Sequence, residues 1–156
     1  MSALEPRSEQ KPNPAAQSVT EAAVKAGIHA CADRVNQVTN FLTTGIQSSA
    51  VLFEPPSDPD ERLVSISLGL AMGGEQVAYA SESFAPKQVN GCGGVYETVV
   101  YWEAGCAELA KRQFARFKNK GVMVNSITML DGGVGAIFFL MPAGTGCVAI
   151  KKQVLN

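Results

Sequence analysis

The stretch "RLVSISLGLAM" limits the fold more than any other part of this chain. Val64, Ile66, Leu68, Leu70 and Met72 alternate with Ser65, Ser67, Gly69 and Ala71. Side chains of a strand point to opposite faces in turn, so the pattern predicts an antiparallel strand with one face covered and the other small or polar. Its neighbours suit a meander. "SSAVLFE" precedes it across the turn-rich "PPSDPDE", and "GGE" leads out of it into the hairpin partner "QVAYASESF". "APKQVNGCGG" then predicts an irregular connection to the strand "VYETVVYW".

Upstream of the meander the periodicity is helical. Ser18-Val19-Thr20-Glu21 has the capping-box form, and Val24, Ile28, Cys31, Val35, Val38 and Leu42 follow at helical spacing until Gly45, with Ile46 beyond it. One long helix with Cys31 facing the core is predicted. Helical spacing returns in "CAELAKRQFARF", where Cys106, Leu109, Ala110, Phe114 and Phe117 share a face. "VMVNSITML" and "GAIFFLM" read as two strands joined by "DGGV", and "CVAIKKQVL" as the last. The order α-β-β-β-β-α-β-β-β gives an α+β fold class: a largely antiparallel sheet of six to seven strands with two helices packed on one face. Strands and helices do not alternate, which argues against a doubly wound nucleotide fold. No sequence repeat is evident.

The 156 residues, 46% of them hydrophobic, suit a single α+β domain over residues 18–156. Residues 1–17 carry three prolines and little to bury, so they read as a flexible leader. They lack the charged and apolar regions of a signal peptide, although the same start would suit a mature chain whose signal has been replaced by Met1. No apolar run reaches the ~18 residues of a membrane-spanning helix, so no transmembrane segment is expected. The net charge of −1 supplies no field to attract nucleic acid, and no nucleic-acid partner is expected.

Catalytic and metal motifs are weak. His29, the single histidine, stands off the apolar stripe beside Lys25 and Asp33 and reads as a surface residue. Asp58, Asp60 and Glu61 form an acidic loop without EF-hand spacing, and the glycine-rich segments lack phosphate-loop spacing, so neither metal nor cofactor is expected. Glu97 and Glu103 flank Tyr101 and Trp102. With Tyr96 they suggest a small-molecule pocket built from Tyr96, Glu97, Tyr101 and Trp102, although such acids more often lie on a rim. Lys111, Arg112 and Arg116 belong to a basic run that either complements a helix C-terminus or meets an acidic partner.

Four cysteines allow two bridges. A straight strand between Cys92 and Cys106 would hold them more than ~20 Å apart, too far to bond. Two pairings remain: Cys31–Cys106 with Cys92–Cys147, or Cys31–Cys92 with Cys106–Cys147. The first is preferred because Cys31 and Cys106 lie on the stripes of two helices sharing a sheet face. The rival is a cytosolic protein with four thiols, in which Cys106 at a helix start would be the reactive one.

These readings favour a small non-enzymatic binding protein, periplasmic or secreted, of adaptor or inhibitor type, acting on another protein or envelope component. Its expected contact face carries Ser65, Ser67, Gly69 and Ala71 with Ala78 and Ala80. The alternatives are a binder or enzyme using the Tyr96 pocket and the cytosolic thiol protein.

Overall fold

A computed structural model describes residues 13–87 and 91–155. Most of the expected leader, residues 1–12, lies outside them. The first helix, α1 (Pro14–Lys25), starts ahead of the expected capping box. Asn13 Oδ1 accepts hydrogen bonds from the amides of Ala15 at 3.1 Å and Ala16 at 3.4 Å, and Pro14 opens the first turn with its fixed φ. Ser18 and Glu21 therefore lie inside the helix, where Glu21 accepts from Gln17 Nε2 at 3.1 Å.

The expected long helix is two. Gly27 adopts φ +90°, which ends α1, and α2 (Ala32–Thr43) starts after a short corner. A Cβ at position 27 would meet Pro59 Cγ at 2.8 Å. The acidic loop anchors this corner: Asp60 Oδ1 accepts from the amides of His29 at 2.8 Å and Ala30 at 2.6 Å. Those bonds, Ala30's foremost, hold the Asp60 carboxyl below its usual range. Asp60 is thus a helix-positioning residue rather than part of a merely solvated turn. Ile28, Cys31, Val35, Val38 and Leu42 are buried, whereas Val24, on the other side of the break, is exposed.

The strands are β1 (Ser48–Phe53), β2 (Val64–Gly73), β3 (Gln76–Lys87), β4 (Gly91–Trp102), β5 (Asn119–Met123), β6 (Ile127–Asp131), β7 (Ala136–Ala143) and β8 (Gly146–Leu155), with α3 (Cys106–Arg112) after β4. They form one antiparallel sheet in the order β1-β2-β3-β4-β8-β7-β6-β5. The α+β class holds, with eight strands and three helices among the described residues instead of six to seven and two. The additional strand arises because "VMVNSITML" folds back on itself: Val124 at φ 46° and Asn125 at φ 68° make a tight hairpin between β5 and β6. The connection expected to be irregular is mostly ladder, with Ala85, Pro86 and Lys87 opposite Gly93, Cys92 and Gly91. Residues 88–90 of it lie outside the described part.

In β2 the alternation is realised from Val64 to Leu70. Met72 leaves the pattern because the register shifts between Ala71 and Gly73. The inward set packs with Ala78, Ala80 and Phe84 of β3 beneath α1 and α2. A second cluster joins Leu109 of α3 to Leu130, Leu140, Cys147 and Ala149, with Trp102 against it. Cys147 pairs with Trp102, which lies on the same face of β4 as Cys92, so all three helices cover one side.

The strand order also contains a structural repeat that the sequence does not display. A helix followed by a four-stranded meander occurs twice, as α2-β1-β2-β3-β4 and α3-β5-β6-β7-β8, and the halves meet at β4 and β8. The disulfides follow the same scheme. Cys31 at the start of α2 joins Cys92 near the start of β4, with Cα atoms 5.1 Å apart, and Cys106 at the start of α3 joins Cys147 near the start of β8 at 5.0 Å. The preferred pairing, Cys31–Cys106 with Cys92–Cys147, is therefore overturned in favour of the second. The helices do share a sheet face, but that does not make them neighbours: α2 packs on β3 and β4 while α3 packs on β7 and β8. Each stripe faces the strand of its own half. Cys92 and Cys106 are not joined, as their spacing requires, and Cys106 is not a free thiol.

Candidate interaction surface

The side of the sheet opposite the helices has no covering layer among the described residues. Alternation and register place Val51 and Phe53 of β1, Val77 and Tyr79 of β3, Tyr101 of β4, Met141 of β7 and Val154 of β8 on it. Val77 is 69% exposed, Tyr79 49% and Tyr101 48%. Val99, Ile150 and Phe139 lie among them, half-buried by lateral neighbours. Hydroxyls on this face bond within the sheet: the Oγ atoms of Ser65 and Ser83 are 2.9 Å apart, and Ser67 Oγ lies 2.8 Å from Tyr79 Oη. A shallow depression of about 480 Å³ opens between Phe53, Leu63, Ser65, Ser67 and Tyr79.

Ala78 and Ala80, which the sequence places on the contact face, are not part of this surface. They pair with Leu70 and Leu68 on the covered side, where their small side chains admit α2, and Val77 and Tyr79 take the open side. The surface is consequently more apolar and more aromatic than a stripe of small residues. Near its centre, on adjacent strands β4 and β8, Glu97 Oε2 stands 3.8 Å from Lys152 Nζ.

The four residues of the expected small-molecule pocket do not converge. Glu97 and Tyr101 lie on the open face, whereas Tyr96 and Trp102 point to the helix side, because β4 alternates. Tyr101 lies across Gly146, leaving no room for a Cβ there. Lys111 and Arg112 occupy the exposed side of α3, with Arg112 Nη2 2.9 Å from Glu108 Oε1, and the Arg116 guanidinium lies 4.9 Å from the Phe117 ring centre. Phe114 and Phe117 pack on Phe138, at 5.0 and 4.7 Å between ring centres.

The helix side holds a polar cluster that sequence patterning did not single out. Glu82 is fully buried on β3. Its Oε1 accepts from Thr39 Oγ1 of α2 at 2.5 Å, and its Oε2 has no hydrogen-bond partner. Burial raises this carboxyl to about 7 against the opposing Thr39 bond. Across the strand pair stands Tyr96, whose hydroxyl accepts from Lys151 Nζ at 2.8 Å. The Lys151 ammonium lies 5.2 Å from the Tyr96 ring centre and 5.7 Å from that of Phe41. Among the described residues no group of three His, Cys, Asp or Glu could hold a metal ion, and no helix is long and apolar enough to cross a membrane. Compared with protein-family models, curated proteins and solved structures, the chain matches none.

Proposed function

We propose that the protein is an exported, non-enzymatic binding module that holds a protein or envelope component against the open face of its sheet. The observation that carries this reading is the breadth of that face, with exposed valines and aromatic rings on strands from β1 to β8. Exposed apolar and aromatic side chains gathered on one face mark interaction sites in soluble proteins. Export draws support from the two disulfides, since such bonds persist in oxidising compartments. A partner other than nucleic acid fits the charges, because Glu97 and Lys152 offset each other where a nucleic-acid site would be strongly basic.

Capture of partners from the native envelope or culture fluid tests the reading. Val77→Asp and Tyr79→Glu, both at exposed positions, should leave the fold intact and abolish capture. Lys111→Glu and Arg112→Glu, on the helix side, should leave capture unchanged. The reverse pattern would move the binding site to the basic end of α3.

A further inference from the structure

We infer that the occupant of the open face is a second copy of this chain, packed sheet to sheet about a two-fold axis that runs along the strands between β4 and β8. The inference rests on the reading of that face as the interaction surface and names its partner. Two features of the face support it.

The first is extent. Eight strands of five to twelve residues, about 4.8 Å apart and rising ~3.3 Å per residue, span on the order of 1,000 Å². Two such faces in contact would bury up to about 2,000 Å², within the range of stable specific interfaces. A two-fold along the strands also keeps the two strand directions close, as aligned sheet packing requires.

The second is charge. The axis would place β4 of one copy over β8 of the other, so Glu97 meets the second copy's lysine and Lys152 its glutamate. The pair beside the centre of the face is thereby self-complementary. A two-fold across the strands would set β4 on β4 and bring like charges together. The ion pair thus selects one axis, which is the role charges serve best at an interface.

Sedimentation equilibrium of the full, oxidised chain tests this. The native chain should show twice the chain mass. Glu97→Lys alone and Lys152→Glu alone should each raise the dissociation constant at least about tenfold, and the double reversal Glu97→Lys/Lys152→Glu should restore the dimer. Recovery in the double variant would show that the single variants lost the contact rather than the fold. A two-chain mass indifferent to both single reversals would place the contact elsewhere, such as the β1 or β5 edge, and overturn the proposal. A single-chain mass at about 100 µM, where even a micromolar interface would be filled, would also overturn it. In that event radical footprinting separates the two levels. Strong labelling of Tyr79 and Tyr101 in the monomer would leave the face free for a different partner, whereas protection of both would remove the binding surface itself.

Discussion

Glu82 is the residue at which burial and charge are most opposed. Its folded carboxyl titrates at about 7 against a reference of 4.5, because desolvation outweighs the Thr39 hydrogen bond. Between those values the folded protein keeps a proton that the unfolded chain has released. Its contribution to stability is therefore fully present below the unfolded value and is lost as pH rises through about 7. Urea titrations across this window should show stability falling with pH in the native protein. The fall should be much shallower in Glu82→Gln, which keeps an acceptor for Thr39 and cannot ionise. Equal slopes for both would mean that Glu82 is solvated in the folded state. Patterning could not reveal this residue, because in "QVAYASESF" either alternate set could face inward. The alanines went in, to admit α2, and carried Glu82 in with them.

At the scale of elements, the caps and corners discriminate between the sequence reading and the fold. Asn13 bonds two amides of α1 and donates from Nδ2 to Thr43 Oγ1 of α2 at 2.9 Å. Asn13→Ala should cost about 1 to 2 kcal/mol in chemical unfolding. Ser18→Ala, within the helix and exposed, should change stability by less than about 0.5 kcal/mol. The opposite order would restore the capping box as the helix start. Gly27→Ala should destabilise by more than about 1 kcal/mol, since it adds a strained φ to a contact with Pro59. The β2 alternation was legible because one side chain in two is buried along a single element, a signal that local spacing carries in full. The helix break was not, since Gly27 falls within a stripe whose spacing continues across the corner through Ile28 and Cys31. The β5–β6 hairpin was hidden for a related reason. Its turn uses Val124 at positive φ, where a β-branched residue is rare and gives no turn signature. The open surface was legible in part: Ser65, Ser67 and Gly69 were assigned to it correctly, while Ala78 and Ala80 were given the wrong side of β3.

For the whole molecule, the repeated helix and meander explain why the cysteines pair within halves. Each bridge ties the start of a helix to the start of the strand that its half contributes to the sheet centre. The two cross-links enclose separate loops, with sequence separations of 61 and 41 residues, so the chain-entropy treatment gives about 4 kcal/mol for each. Unfolding without reductant, followed by alkylation, should label none of the four cysteines in protein from its native compartment. Peptide mapping should recover Cys31–Cys92 and Cys106–Cys147, and reduction should lower the melting temperature markedly. Four labelled thiols would instead assign the chain to a reducing compartment. The proposed binding role depends on the sheet face left open by three helices on the other side, and radical footprinting of the native assembly reads that face directly. Tyr79 and Tyr101 should be protected there, while Phe41, exposed on α2, is labelled freely. Labelling of Tyr79 and Tyr101 as strong as that of Phe41 would contradict the assignment of the open face as the surface through which this protein acts.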